Sequence, residues 1–232
     1  MSNNHGNQVF ENRREAGREL ARAITGTHHD PARHEPFLYD LILALPRGGV
    51  PVAYEIATRL GLPLDVVVVR KVGAPGQPEF GLGAVVDGDP PQVVLTERML
   101  ELFQPSESYL EAETQRQLQE IMRRRQAYIG NRAPANVSGR RVLLVDDGIA
   151  TGGTAKAAAR ALRQAGAARV TLAVPVAPQS SLTELAADVD DIICLATPEP
   201  FTAVGKHYLD FDQTSDEEVI TLLQEAEALR EG

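Results

Sequence analysis

Residues 142–154 read Val142, Leu143, Leu144, Val145, Asp146, Asp147, Gly148, Ile149, Ala150, Thr151, Gly152, Gly153, Thr154, and an alanine-rich stretch with helical spacing follows. The apolar run predicts a buried strand, and the two acids mark its carboxyl end. The Gly-, Thr- and Ala-containing turn then opens a helix. This is the layout of an anion site, because backbone N–H groups in a tight turn and the positive end of a helix both face an incoming phosphate. The hydroxyls of Thr151 and Thr154 add donors. The adjacent carboxylates suit a second task, holding sugar hydroxyls or a hydrated Mg²⁺. A sugar phosphate needs both features. An ordinary strand–loop–helix turn with a capping Asp is the simpler alternative, but it needs only one acid and leaves both glycines and both threonines unexplained.

Two other phosphate loops are excluded by count. A Walker A loop started at Gly148 requires Lys at the position of Thr154. The dinucleotide fingerprint Gly-x-Gly-x-x-Gly is absent after this strand.

A second strand end carries Pro46, Arg47, Gly48 and Gly49, again just before a helical pattern. Ligands collect at the carboxyl edge of a parallel sheet, so paired glycines and a fixed charge there fit a phosphate-bearing ligand. Alone, the segment would read as a turn with a surface Arg. Arg70 and Lys71 end the next strand and place two cations toward the same edge.

The strand–helix–strand alternation over 40–70 predicts a parallel sheet. In detail, the pattern predicts helices over 10–24, 50–60, 107–129, 153–165 and 178–187, and strands over 40–45, 65–70, 93–95, 140–145, 170–174 and 191–195. Residues 25–36, with three His and two Pro, read as a loop. His28 and His29 are adjacent and lack a third ligand at metal spacing, so no metal site is read there. Residues 73–88, rich in Gly and Pro, read as a long excursion with mobile parts. On helix 107–129 the thin apolar stripe is Leu118, Ile121, Met122 and Ile129, and Arg123, Arg124 and Arg125 read as a solvated face. A Ser-x-x-Glu box at Ser215 to Glu218 starts an acidic terminal helix.

The chain has 232 residues, 43% hydrophobic, with a net charge of −9, which disfavours broad attraction to nucleic acid or anionic membrane. The single Cys194 lies in an apolar run and reads as a structural thiol. No apolar run approaches a membrane span, and the polar start lacks a signal core, so a soluble cytoplasmic protein is expected.

The segment from Val142 to Thr154 resembles the phosphoribosyl-pyrophosphate (PRPP) signature of type I phosphoribosyltransferases, nearest to bacterial phosphoribosyltransferase-domain proteins of unassigned substrate. The resemblance implies an α/β fold, a Rossmann-like parallel sheet flanked by helices, with a helical or hood insertion and a mobile loop. It implies one domain over 1–232, with a core at about 37–95 and 139–212, a helical insertion at about 96–135, and terminal helices. Asp146 and Asp147 would hold the ribose hydroxyls, and Ala150, Thr151, Gly152, Gly153 and Thr154 the 5′-phosphate. Arg47, Gly48 and Gly49 match the pyrophosphate loop, where an unusual peptide bond is common. Arg70 and Lys71 match a pair that meets the pyrophosphate side in adenine and orotate enzymes. Glu79, with Phe80 and Gly81, is similar to a Glu-Tyr-Gly whose Glu is an acid/base candidate on a closing loop. Phe201 and Val204 would flank the acceptor base, and Asp210 would reach the metal through water. The implied cofactor is Mg²⁺, and the implied partners are PRPP and a small acceptor, without nucleic acid or membrane. A homodimer is left open.

Departures narrow the acceptor. Hypoxanthine-type enzymes carry an Asp in the phosphate loop where this chain has Ala150, and a Lys on the following strand, where Val170–Val176 has none. A 6-oxopurine acceptor is disfavoured. The expected activity is Mg²⁺-dependent transfer of the 5-phosphoribosyl group to a nitrogenous acceptor. The alternatives are a non-catalytic PRPP or nucleotide sensor and a PRPP hydrolase.

Overall fold

The computed structural model describes residues 9–28 and 39–231. Its centre is a five-stranded parallel sheet in the order β2-β1-β6-β7-β8, made of β1 (Leu41–Ala44), β2 (Leu64–Val66), β6 (Arg141–Val145), β7 (Arg169–Val176) and β8 (Asp191–Ala196). Leu143 and Leu144 of the middle strand are fully buried, one on each face. That is why the strand reads as continuous apolar sequence: both faces of a parallel sheet are covered by helices. On one face lie α1 (Arg13–His28), α2 (Gly49–Leu60) and α7 (Asp216–Glu231). On the other lie α5 (Gly153–Gln164) and α6 (Gln179–Leu185).

The stretch 65–70 does not form one strand. Its first part is β2 in the parallel sheet, and from Val69 the chain enters a separate antiparallel sheet, β3-β4-β5, with β3 (Val69–Ala74), β4 (Gln77–Val86) and β5 (Gln92–Leu95). The 73–88 excursion is therefore largely a strand of a hairpin that turns at residues 75–76. Glycine content hid it: Gly81 and Gly83 lie within β4, and a Cβ on Gly83 would overlap the carbonyl of Val94 on the paired strand.

This small sheet is packed between α5 and α4 (Glu107–Ile129), with α3 (Glu97–Phe103) against β4. Ser106 caps α4 by accepting from Tyr109 N at 3.2 Å. The buried stripe of α4 is Glu113, Gln117, Ile121, Arg125 and Tyr128, whereas Met122 is exposed. The apolar stripe read from sequence is thus corrected, because most of the buried positions are polar. Arg125 is corrected with it: its guanidinium meets Asp87 Oδ2 at 2.6 Å and Asp65 Oδ2 at 3.1 Å.

The terminal helix begins at the expected box, with Ser215 Oγ accepting from Glu218 N at 3.1 Å. Cys194 is half-buried, and burial pushes its thiol up to about 11. Among the described residues no helix is long and apolar enough to cross a membrane. The expected loop at 25–36 begins inside α1; His29 and the rest of it lie outside the described residues.

Candidate active site

β1 and β6 are neighbours, with Ala44 opposite Val145, and their carboxyl ends run into two loops that touch. After β1, Leu45 N donates to the Val145 carbonyl at 2.9 Å. The chain then turns through Pro46, Arg47, Gly48 and Gly49 into α2, with a cis peptide between Pro46 and Arg47. A Cβ on Gly49 would lie 2.7 Å from the Val145 carbonyl oxygen and 3.1 Å from Asp146 Cα. One on Gly48 would lie 2.5 Å from Asp147 Cγ and 3.2 Å from Arg13 Nε. Only residues without a side chain let this loop lie against the acid pair.

The acids themselves are partly buried. Asp146 Oδ1 accepts from Asp147 N at 2.9 Å, and Asp147 Oδ2 accepts from Arg13 Nε at 2.7 Å. The Tyr208 hydroxyl donates to the Asp147 carbonyl. Burial pushes the Asp146 carboxyl well above the usual carboxylate range, and the adjacent Asp147 charge adds to it. Burial also raises Asp147, against the opposing pull of Arg13. Two carboxylates crowded this way compete for a proton until something polar or cationic satisfies them.

Beyond the acids the second loop stays open. Ala150, Thr151, Gly153 and Thr154 are exposed, while Ile149 is buried and donates its N–H to the Val176 carbonyl at 2.9 Å. Ser181 Oγ donates to the Ala150 carbonyl at 2.6 Å and ties the loop to α6. Gly152, at φ +75°, turns the chain into α5 in the left-handed region that glycine adopts without strain. The first-turn N–H groups of α5 therefore start at an exposed glycine-rich loop, the arrangement that favours anions.

Thr151, Gly153 and Thr154 form one wall of a cavity of about 460 Å³. Lys71 of β3 lines the same cavity, as do Lys156 and Arg160 of α5, which lie 3.7 Å and 2.6 Å from the Asp188 carboxylate. Lys71 Nζ donates to the Glu79 carbonyl at 2.8 Å, so the hairpin binds its own lysine through backbone; Glu79 itself is exposed. Arg70 does not share this cavity. Strand alternation turns it to the other face, where Nε donates to Gln117 Oε1 at 3.1 Å. Arg47 points to α4 and α7, with Asp216 Oδ1 at 3.7 Å.

The segment expected to flank an acceptor packs as a small aromatic cluster of its own. Phe10, Tyr208, Phe201, Val204 and Phe211 gather around Val176 and Ala196. Phe201 stacks on His207 at 5.5 Å, and the Val204 side chain lies over Gly148. Asp210 is exposed, and its Oδ1 accepts from Asp212 N at 3.1 Å. Among the described residues no cluster of three or more His, Cys, Asp and Glu is placed to hold a metal.

Sequence reasoning missed Arg13 altogether. It comes from the first turn of α1, 134 positions from Asp147, donates from Nη1 to the Asp212 carbonyl at 2.7 Å, and stacks on Phe211 at 3.9 Å. No local pattern announces such a contact; only the packing of α1 against the sheet brings it there. Lys156 and Arg160 are i, i+4 cations on α5, but bringing Lys71 to the same cavity depended on the hairpin.

The family model described as phosphoribosyl transferase domain matches residues 8–209. Two curated Mycobacterium tuberculosis proteins, from strains CDC 1551 / Oshkosh and ATCC 25618 / H37Rv, carry provisional phosphoribosyl transferase names. Each is 41% identical over 219 residues, covering 94% of this chain and 47% of its own length. The chain thus spans about half the length of the curated relatives it matches. The crystal structure of the protein TT1426 from Thermus thermophilus is similar with a TM-score of 0.78 and 44% identity, over 94% of this chain and 99% of that one.

Proposed function

As a member of the phosphoribosyl transferase domain family, this chain, we propose, transfers the 5-phosphoribosyl group of PRPP to a nitrogenous, nucleobase-like acceptor and releases pyrophosphate. The observation that carries the reading is the contact between the Gly48–Gly49 loop and the Asp146–Asp147 pair, with the Gly152–Gly153 anion loop immediately following. Two backbone cradles flank one pair of carboxylates, which matches a ligand with phosphate at both ends and hydroxyls between.

In this reading the N–H groups and hydroxyls of residues 150–154 bind the 5′-phosphate, with Lys71 lining the same cavity. Asp146 and Asp147 accept from the ribose hydroxyls, and their charge favours the cationic ring that develops as the C1–O bond breaks. The electron pair leaves with pyrophosphate, which Arg47 and the Gly48–Gly49 backbone hold. An acceptor nitrogen forms the new C1–N bond. Glu79, on the exposed hairpin, is assigned as the group that takes the acceptor's proton, and Phe201 with Val204 as the wall against which the acceptor rests. Arg70, turned toward α4, serves the pyrophosphate end from that side.

Mg²⁺ fits the donors present only in its shared mode. With no three-ligand cluster among the described residues, Asp146 and Asp147 would hold it together with phosphate oxygens, as Mg²⁺ commonly binds; Asp210 would act through water. When bound, Mg²⁺ neutralises charge on the departing pyrophosphate.

The test supplies PRPP, Mg²⁺ and a panel of bases and measures pyrophosphate. Release that depends on one base supports the transferase, release without any base supports a hydrolase, and binding without release supports a sensor. Asp146→Asn with Asp147→Asn should abolish turnover. Unchanged turnover in that variant, or no calorimetric heat when PRPP and Mg²⁺ are titrated, refutes the assignment.

A further inference from the structure

The insertion that carries α4 ends in a strongly basic face turned toward the Arg47 loop. Arg123 and Arg124 line a hollow of about 160 Å³ together with Arg47, Tyr128 and Asp216. Arg123 also borders a neighbouring hollow of about 380 Å³, which Arg70 lines from β3. The two hollows thus form a basic trough from the third strand to the loop after the first.

The charges in this trough do not cancel. Among the described residues, Glu120 alone serves both α4 arginines: Oε2 accepts from Arg123 Nε at 2.8 Å, and Oε1 accepts from Arg123 Nη2 at 2.9 Å and from Arg124 Nε at 2.7 Å. Asp216, 3.7 Å from Arg47, is beyond hydrogen-bonding distance and is also engaged by the Tyr128 hydroxyl at 3.0 Å. Five guanidiniums (Arg47, Arg70, Arg116, Arg123, Arg124) line the two hollows; Arg116 is met by its own acid, Glu113, at 2.7 Å, which leaves four facing the carboxylates of Glu120 and Asp216 in a chain whose net charge is −9. A helix face that is merely solvated would offer its arginines acids of their own, and would not join them to a glycine loop at the sheet edge.

The smaller hollow is below the roughly 300–1,000 Å³ usual for drug-sized ligands, so it suits a compact ligand, and its three guanidiniums favour an anion over a neutral base. Guanidinium forks match phosphoryl oxygens two at a time, and several of them converging select vicinal phosphates over a single one.

We propose that Arg123 and Arg124 form, with Arg47, an accessory subsite for a diphosphate: the pyrophosphate end of the donor and the pyrophosphate released. The inference rests on the transferase reading for its physiological meaning, but the anion chemistry stands on the trough itself. It gives the α4 insertion a role in holding the leaving group and in setting how fast that product departs.

The probes are inorganic pyrophosphate and ribose 5-phosphate, titrated calorimetrically into the full chain at fixed ionic strength. Arg123→Gln with Arg124→Gln should weaken pyrophosphate at least tenfold and leave ribose 5-phosphate within twofold. Glu120→Gln, which removes the competing carboxylate, should tighten pyrophosphate severalfold, a change of sign that lost structure does not produce. Arg123→Lys with Arg124→Lys should recover only part of the affinity, because an ammonium lacks the fork. The subsite is overturned if the glutamine pair leaves pyrophosphate binding unchanged, if Glu120→Gln weakens it as the arginine variant does, or if the native protein does not bind pyrophosphate. Pyrophosphate binding with no affinity for ribose 5-phosphate would support the subsite while removing the transferase reading; the reverse pattern would remove the subsite alone.

Discussion

Arg125→Met should cost the folded protein about 3–5 kcal/mol, the range for removing one partner of a buried charge cluster. Arg125, Asp65 and Asp87 have side-chain exposures of only 9%, 5% and 6%. Asp65 keeps other donors after the change, Val66 N at 2.8 Å and Ala135 N at 3.0 Å. Asp87 loses its 2.6 Å partner and carries most of the penalty, which places the expected loss near the lower end. At roughly 2–4 °C per kcal/mol for a chain of this size, the midpoint should fall by about 6–20 °C. Urea unfolding followed by circular dichroism measures the free-energy loss, and a thermal scan the midpoint. The pH dependence has a definite sign. Burial already raises the Asp87 carboxyl, and Arg125 opposes that shift; without the arginine it rises further. A group that binds its proton more tightly when folded adds stability below its unfolded value and loses it as pH climbs through the folded one. The deficit of the variant should therefore shrink in acid and grow toward neutral pH, and Asp87→Asn added to Arg125→Met should recover part of it. A loss below about 1 kcal/mol at neutral pH, or a deficit that grows in acid, would refute the view that this triad pins α4 to the sheets.

Gly49→Ala drives a Cβ into the Val145–Asp146 backbone, at 2.7 Å and 3.1 Å, so the loop must shift; we expect a stability loss of about 1–3 kcal/mol and at least tenfold weaker PRPP binding, and unchanged affinity by calorimetry would contradict the loop assignment. Because burial and Asp147 hold the Asp146 carboxyl high, the pair favours the folded state in acid and loses that contribution as pH rises. Binding of Mg²⁺–PRPP should accordingly release protons and tighten with pH, measured as a difference in heat between two buffers of unlike ionisation enthalpy; equal heats argue against it. Arg13→Ala removes the group that pulls Asp147 downward, so the pH profile for PRPP binding should move to higher pH while the aromatic cluster around Phe211 loses stability; a profile that stays in place would show that Arg13 does not act through Asp147.

Much of the candidate site was legible because its chemistry is local. A loop of this kind needs strand, acids, glycines and helix start within one short run, and the 142–154 segment contains them all. The Gly48–Gly49 loop was legible for the same reason. The hairpin was misread because Gly81 and Gly83, signs of irregular chain in sequence, are in the sheet the means by which β4 comes close to its neighbour. Arg70 and Lys71 looked equivalent as adjacent cations, yet a strand sends successive side chains to opposite faces, and only Lys71 lines the cavity that Thr151, Gly153 and Thr154 share. The buried stripe of α4 was missed because Gln117 and Arg125 are buried by hydrogen bonds and ion pairs, which leave no hydrophobic period to detect.

Local order along the chain determined the parallel sheet, its covering helices and the two loops at its edge, since strand periodicity, glycine turns and helix starts act over a few residues. Tertiary structure alone decided that Arg13 would reach Asp147, that Arg123 and Arg124 would face Arg47, and that Arg125 would be interior. Those outcomes depend on which elements pack together, and burial changes the energy of a charge far more than any neighbour in sequence can.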